Sequence, residues 1–575
     1  MRSLIFFSAL FLLLSFLRCQ PPLVGAEPPA APLVFTPALV YDSARHWVDS
    51  VYLSMSEEER IARLFWLAVE QVDQPAAYAR LRTQVERYQP GGVLLMGMPL
   101  ERVSEVVSDL QSLSKRPMLV SVDGEWGAAM RFKDLPAFPY AMTLGALAND
   151  SLVYLVGLEI ARQMRMLGIH VNMAPVADVN SNPDNPIIGH RSFGEQAENV
   201  ARKSVAYMRG LQDGGVMAVG KHFPGHGDTD SDSHHTLPVV KHDRALLDST
   251  DLLPFKAMIE AGLWGMMTAH IEVPALDGRA GLPASFSDSI VKGLLREDLG
   301  FEGLVLTDAL NMQGARVMGR PGEVDMLALK AGNDVVEFTE DLPGAIAAVK
   351  KALADSLLCP REMEAKCRRS LAFQYWLSER PQVKGVDSVL HTDETLALNR
   401  LLYEAALTVL HNEAVLPFAS KRLDQQEVLL LGTAPVLRDS LRSLGLKVQN
   451  LALHDPAAFR RQLAGVGEEV GLIFVIGDSQ WGRRAANAAL RQEVIQLLKR
   501  KQALTVFMGN AYHLAPWREL DASGALVLAY ENNDRTQEAV WRLLTGQIGA
   551  DGRLPVTIGQ WYAAGSGIDL APLNP

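Results

Sequence analysis

The sequence predicts an α/β protein in two parts, a (β/α)8 barrel of the TIM type followed by a smaller α/β sandwich domain. Three observations predict it. Eight short apolar runs alternate with amphipathic stretches, polar residues interrupt several of those runs at their carboxyl ends, and the texture of the chain changes after about residue 376.

The chain begins with an address rather than with structure. Arg2, the apolar LIFFSALFLLLSFL and the small residues Val24 to Ala26 have the arrangement of a secretory signal, so residues 1–26 are set aside as a signal peptide. The apolar run is short for a bilayer span. The protein is therefore expected to be exported, periplasmic or secreted. Cys19 just after the run is a position where a lipid anchor can be attached, although Arg18 before it suits such a motif poorly; membrane attachment is expected only if Cys19 is lipidated. Cleavage after Ala26 leaves Cys359 and Cys367. Their segment, CPREMEAKCRR, reads as a helix from Pro360 and separates them by about 12 Å, too far for a disulfide.

After an N-terminal extension, 27–50, the expected barrel occupies 51–376. Its candidate strands are RLFWLAV from Arg63, GGVLLM from Gly91, PMLVSVD from Pro117, HVNMAPV from His170, AVGKHF from Ala218, GMMTAHI from Gly265, GLVLTDA from Gly303 and DVVEFTE from Asp334. Between them lie ERVSEVVSDLQSLS, DSLVYLVGLEIARQMRMLG, AENVARKSVAYMRGLQDGG and DSIVKGLLREDLG, with apolar residues at helical spacing. Runs buried on both faces and joined by helices indicate a parallel sheet, and eight units over roughly 300 residues suit the closed barrel.

SERPQVKGVDSVLHTDET is polar and aperiodic, as a linker is, and marks 377–395. LALNRLLYEAALTVLHN then begins a helix expected to run to near LPF at Leu416. EVLLLGTAP, VGLIFVIGDS, ALTVFMGN and ALVLAYEN alternate with helical segments in a second unit, 396–575, that reads as an open doubly wound sheet. Its glycines form no dinucleotide fingerprint and no phosphate loop occurs, so no nucleotide cofactor is expected. A net charge of −11, from 55 Lys and Arg against 66 Asp and Glu, leaves no basic footprint for nucleic acid.

Asp123 ends the third run, Lys221 and His222 lie at the end of the fifth, His270 ends the sixth and Asp308 the seventh. In a barrel all these ends face one mouth. The loop GKHFPGHGDTDSDSHHTLPVV, Gly220 to Val240, adds a concentration of ionisable groups there. Cleavage of a glycosidic bond needs one group to protonate the leaving oxygen and another to meet the positive charge that develops on the sugar. Asp308 fits the second role. Asp232 and His234, two apart in an extended loop, point the same way, so the carboxylate can support a charged imidazole that gives a proton and later takes one. Other readings stay open on the residues alone. His222, His226, His234 and His235 form a candidate metal set, opposed by the charge of Lys221, and Lys221 itself is a candidate Schiff-base lysine. A sugar-binding protein without catalysis is the non-enzymatic alternative. His270 is read as a satisfied core histidine, and Asp228 and Asp230 as solvation of the loop.

KHFPGHGDTDSDSH, APVADVNSNPDNPIIGHRSFGE, MTAHIEVPALD, LREDLGFEGLVLTDALNM and VDGEWGAAMRF together resemble the β-N-acetylglucosaminidases of glycoside hydrolase family 3, and ALVLAYEN through GQIGADGRLPVTI is similar to the carboxyl-terminal α/β sandwich that many members carry. The resemblance implies a retaining enzyme without metal or cofactor, acting on carbohydrate glycosides of N-acetylglucosamine, muropeptides among them. It implies Asp308 as the nucleophile, His234 as the acid/base and Asp232 as its partner. It also implies Asp123, Arg131, Arg191, Lys221 and His222 as residues that hold the sugar. The family's DQEGGRVxR stands here as DGEWGAAMR, which puts Trp126 where a glycine is usual; Trp126 is expected to pack, with stacking on the leaving group as the alternative. Water and phosphate both remain open as the acceptor.

Overall fold

The computed structural model describes residues 36–378, 391–418, 426–451, 456–465, 471–477 and 503–573, with six further positions between 492 and 499. The expected signal peptide, Cys19 and most of the expected linker lie outside the described residues; the ends of the linker belong to helices that stop at Ser378 and start at Asp393.

Eight parallel strands make the first sheet: β1 (Phe65–Val69), β2 (Gly92–Leu95), β3 (Leu119–Val122), β4 (Val171–Asn172), β5 (Met217–Phe223), β6 (Gly265–Thr268), β7 (Leu304–Thr307) and β8 (Val336–Glu337). They pair in chain order, β8 pairs with β1, and a bridge from Leu306 to Val335 closes the ring. Each coincides with one of the eight apolar runs, β5 starting one residue ahead of its run at Met217. The interior is tight because the chain supplies a large ring and then makes room for it. Trp66 on β1 is wholly buried, and a Cβ at Gly92 beside it would lie 2.9 Å from the indole and 2.6 Å from the Leu119 carbonyl.

The helices that follow β3 and β4, Asp150–Met166 and Ala197–Asp213, approach closely for the same reason. A Cβ at Gly157 would meet Tyr207 O at 2.3 Å, and one at Gly210 would meet Tyr154 O at 2.1 Å. That contact sets buried Tyr207 beneath the loop after β3, where its hydroxyl donates to Glu125 O at 3.0 Å. The stretch from Ser289 to Asp298 winds wide, as a π-type helix that ends with Leu299 N–H on Leu294 O. The helix Pro37–Ser54 runs through residue 50 and packs on Pro360–Ser378, with Trp47 stacked on Tyr375 at 5.2 Å.

The second sheet holds β9 (Thr408–Asn412), β10 (Gln426–Gly432), β11 (Lys447–Asn450), β12 (Gly471–Gly477), β13 (Ala503–Phe507) and β14 (Ala525–Leu528), in the order β11-β10-β12-β13-β14-β9. All pairs are parallel except β14 with β9. This corrects the expectation of one helix across LALNRLLYEAALTVLHN. The helix Asp393–Ala406 stops, and Thr408–Asn412 becomes an edge strand, because its Thr-Val-Leu segment is wholly or nearly buried against Ala525–Leu528, a tertiary pairing that overrides helical spacing. Barrel and sandwich are joined by part-buried polar contacts. The Glu531 carboxylate, held within the sandwich by Tyr403 Oη at 3.1 Å, accepts from Tyr140 N at 2.9 Å and Thr143 Oγ1 at 2.6 Å of the barrel, and Tyr512 Oη meets Asn180 Nδ2 at 2.7 Å.

At the foot of β7 and β8, Asp334 is wholly buried and takes up the charges of two arginines. Its Oδ1 accepts from Arg369 at 2.6 and 3.0 Å, while Oδ2 pairs with Arg296 and accepts from Val305 N at 2.9 Å. Burial would raise its carboxyl, but the two guanidinium groups overcome that and hold it at about 2. Asp334→Asn leaves two arginines unpaired in the interior and is expected to lower stability by about 3–5 kcal/mol, checked by denaturant unfolding at neutral pH.

Candidate active site

The mouth of the barrel encloses a cavity of about 520 Å³. Its lining is drawn from the barrel, and among the described residues the sandwich contributes none. Asp123, Arg131, Arg191, Lys221, His222, His234 and Asp308 all line it. Asp232 does not; it stands directly behind His234.

The floor is a set of paired charges carried by strand ends. Lys221, on β5, is 3% exposed at its side chain and lies 2.8 Å from Asp123 Oδ1 and 3.0 Å from Glu125 Oε1. Arg131 donates to Asp123 Oδ2 at 2.8 Å. Arg191 makes a two-pronged contact with Glu125, at 2.7 and 2.9 Å. Burial would raise Asp123, but Lys221 and Arg131 hold it below the ordinary carboxylate value, and Arg191 and Lys221 do the same to Glu125. Burial likewise presses Lys221 down, and the two carboxylates overcome it, so its amine stays protonated. A charged, immobilised amine is a poor Schiff-base nucleophile.

Glu125 was not singled out in the sequence, although it sits two residues after Asp123 in DGEWGAAMR. Asp178 was missed as well. It is wholly buried in the loop after β4, its Oδ2 lies 2.7 Å from His222 Nδ1, and its Oδ1 accepts from the backbone of His222 and His226 at 3.1 and 2.7 Å. That fixes the ring of His222, whose Nε2 faces Arg191 at 3.4 Å. His226 is turned away from the cavity centre, with Nδ1 on Thr229 Oγ1 at 2.7 Å and Nε2 on Ser233 Oγ at 3.1 Å; burial and the charge of His222 lower it to about 4. The four loop histidines do not converge, and among the described residues no three His, Cys, Asp or Glu side chains are placed to share a metal ion.

Asp308 follows β7. Its backbone donates to Thr268 O at 3.0 Å, and its Oδ1 accepts from Ala309 N at 2.8 Å. Burial alone would raise this carboxyl; His222, His270, the Ala309 N–H and Lys221 outweigh it, so Asp308 is held below its ordinary value and is ionised at neutral pH. His270 is wholly buried, with Nδ1 on Ser285 Oγ at 2.7 Å and Nε2 on Ala309 O at 3.2 Å, a core histidine that braces the turn after Asp308. Glu337 on β8 is the remaining carboxyl nearby. It is 2% exposed, and burial together with the charges of Asp123 and Asp308 raises it far above the usual range, so it is neutral. Its only sequence signal was a glutamate inside the apolar run DVVEFTE.

The dyad forms by a different geometry from the extended loop expected. Asp232 to Thr236 is a tight turn, with His235 N and Thr236 N both on Asp232 O at 3.0 Å. Asp232 Oδ1 accepts from both His234 N, at 2.9 Å, and His234 Nδ1, at 2.7 Å, a local bond that an aspartate favours two residues ahead of its partner. Ser233 between them is pinned from two sides, by His226 and by Gly314 N on its carbonyl at 3.1 Å. The His234 side chain is 53% exposed with Nε2 free to face the cavity. Trp126 is half-buried and packs edge-on to Tyr140 at 4.9 Å, as expected, and its remaining surface lines the cavity.

Residues 58–372 match the model of the glycosyl hydrolase family 3 N terminal domain. The chain is 33% identical over 416 residues to beta-hexosaminidase A of Pseudoalteromonas piscicida, covering 65% of this chain and 69% of that one. It is 37% identical over 256 residues to a beta-hexosaminidase of Nitrosospira multiformis, covering 43% and 72%. Among solved structures, the glycoside hydrolase family 3 beta-N-acetylglucosaminidase from a Paenibacillus species superposes with a TM-score of 0.73 at 28% identity, over 88% of this chain and 99% of that one.

Replacing Glu125 with Gln leaves Arg191 and Lys221 sharing one carboxylate fewer. Catalytic efficiency is expected to fall about 100-fold, in line with the 2–5 kcal/mol that truncating a buried charge pair costs, measured as kcat/KM beside a thermal melt that shows the fold retained.

Proposed function

The chain belongs to glycosyl hydrolase family 3 and is a glycoside hydrolase; from that premise we propose that it is a retaining exo-β-N-acetylglucosaminidase in which Asp308 is the nucleophile and His234, supported by Asp232, the acid/base. The observation that carries this reading is the 2.7 Å bond from His234 Nδ1 to Asp232, on a loop whose histidine lines the same cavity as the ionised Asp308.

The chemistry follows from the charges. In the first half-reaction the Asp308 carboxylate attacks the anomeric carbon while the His234 imidazolium gives its proton to the leaving oxygen. Asp232 lies below its ordinary value, since the backbone and ring hydrogen bonds of His234 outweigh its partial burial, so it is an anion able to stabilise that imidazolium. In the second, neutral His234 takes a proton from water, and the water displaces Asp308 from the sugar. The sugar hydroxyls are held by Asp123, Arg131, Arg191, Lys221 and His222, with Glu125 fixing two of the cations. Preference for an N-acetyl sugar is supported by the names of the relatives, beta-hexosaminidase and beta-N-acetylglucosaminidase. The apolar N-terminal segment supports an exported enzyme, and peptidoglycan-derived or other released amino sugars are the substrates proposed for it.

Hydrolysis of paired p-nitrophenyl β-N-acetylglucosaminide and β-glucoside tests the reading. Cleavage that favours the N-acetyl sugar and is indifferent to chelator supports it; equal cleavage of both, or none, defeats it, and acceleration by phosphate reassigns the acceptor. His234→Gly is expected to lower turnover of a poor leaving group by about 10²–10⁴ while glycosylation by p-nitrophenyl substrates persists, and Asp308→Asn is expected to abolish turnover with every leaving group, both followed by steady-state and burst kinetics. Because the Asp308 carboxyl is depressed in the fold, its contribution to activity is expected to hold through pH 5 and to fade only as pH drops through a point below the ordinary value of 3.8, checked by the acid limb of kcat/KM.

A further inference from the structure

His242 follows the loop that carries the dyad, and no motif around it marks it out. Its Nδ1 lies 2.7 Å from Asp251 Oδ2 and its Nε2 3.3 Å from Asp228 Oδ1. Asp228 is on the outgoing limb of the loop, four residues before Asp232. His242 is on the returning limb, just after Val240 N joins Glu272 O at 2.9 Å. Asp251 is wholly buried in the helix that follows, against the root of the loop, where a Cβ on Gly225 would sit 2.8 Å from the Asp251 Cβ. One imidazole therefore ties both limbs of the loop to the barrel. Asp228, expected to do no more than solvate the loop, is one end of that tie.

A neutral imidazole has a single N–H and can donate to one carboxylate only; to donate to both it must be the cation. We propose, resting on the assignment of Asp232 and His234 above, that His242 is a positioning residue: as imidazolium it staples the two limbs of the loop through Asp228 and Asp251, and loss of its proton frees the outgoing limb and withdraws the dyad from Asp308. The weaker contact is the one that gives. Asp228 is 24% exposed and can turn to water, whereas Asp251 is closed in.

The titratable groups that bear on His242 are Asp251 on the helix and Asp228 on the loop. Lys241 and Asp230, 3.2 Å apart, form an exposed second rung, and Asp243 is occupied as the cap of the next helix, accepting from Leu246 N at 2.9 Å. The hydrogen bond to Asp251 raises His242 above the ordinary value of 6.5 against the opposing effect of burial, and the charges of both carboxylates add to the rise. With a raised value, the staple is complete below pH 6.5 and is lost as pH climbs through a point above it.

The test uses saturating dinitrophenyl β-N-acetylglucosaminide, whose leaving group needs no acid, so that kcat follows the second half-reaction. There His234 acts as a base, and the dyad alone predicts a rate that rises with pH and then stays level. The staple adds a fall at alkaline pH. His242→Gln, which cannot titrate, is expected to lower kcat about tenfold near neutrality and to remove the alkaline fall, and Asp228→Asn, which keeps the buried pair intact, to move that fall at least about one pH unit lower. An unchanged alkaline fall in His242→Gln, or in Asp228→Asn should the first variant melt early, overturns the proposal. Hydrogen exchange of residues 224–242, corrected for intrinsic rate, needs no turnover: it is expected to rise across the same pH interval in the wild type and to be uniformly fast in His242→Gln. Exchange that does not change with pH overturns the staple, whereas a pH-dependent loop in a protein that cleaves no glycoside overturns the functional reading and leaves the staple standing.

Discussion

Everything at the mouth of this barrel rests on a balance of buried charge. Three cations, Arg131, Arg191 and Lys221, face three anions, Asp123, Glu125 and Asp308, and each pair that can touch does so at 2.7 to 3.0 Å. An interior charge is tolerated only when it is paired and hydrogen-bonded. Glu337 has no such partner, and burial together with the charges of Asp123 and Asp308 raises its carboxyl well above the ordinary value. Asp308 stays ionised by neighbours of its own, His222, His270 and the Ala309 N–H, with Lys221 the one member of the floor that adds to them, where burial by itself would raise it.

That dependence explains which parts of the site were legible in the sequence. The eight strands were, because a parallel strand buried on both faces is a continuous apolar run and a polar residue that ends it stands out. Asp123, Lys221, His222 and Asp308 are such residues. Glu125 and Asp178 do not end runs; they lie in loops among other polar residues, and their roles arise from partners far away in sequence, 66 residues to Arg191 and 44 to His222. Glu337 is hidden for the opposite reason, as one carboxyl in a strand that reads as core. The strand Thr408–Asn412 was lost to a helical pattern because its partner, Ala525–Leu528, is more than a hundred residues away and no local spacing reports it.

The sandwich lines none of the cavity among the described residues, yet it bears on the site through one carboxylate. Glu531 accepts from the backbone of Tyr140 and the hydroxyl of Thr143, and the Tyr140 ring packs against both Trp126 and His190, at 4.9 and 4.6 Å. Those two residues belong to the segments that carry Glu125 and Arg191. The second domain therefore acts as a brace on the loops that hold the charge cluster, a role that depends on the interface and not on any residue reaching the substrate. Tyr207 braces the same loop from the other side, through the helix pair whose glycines let it come close.

His234, the acid/base proposed above, stands apart from this rigid floor, and that chemistry requires it. A group that must give a proton to one oxygen and take another from water has to exchange with solvent between steps, and a histidine buried in the cluster would be pressed to the neutral form, as His226 and His270 are. His234 rides on an exposed turn whose geometry is local: Asp232 satisfies both its backbone and its ring, so the pair survives any movement of the loop intact. Local integrity does not fix distance. A dyad that is complete wherever the loop goes needs something else to hold it over Asp308, and the bonds that do so are those made by its neighbours, Ser233 to His226 and Gly314 at the tip and His242 to Asp228 at the base. His234, half exposed, is thus open to exchange with solvent, while His226 and His242, both covered, hold the tip and the base of the loop that carries it.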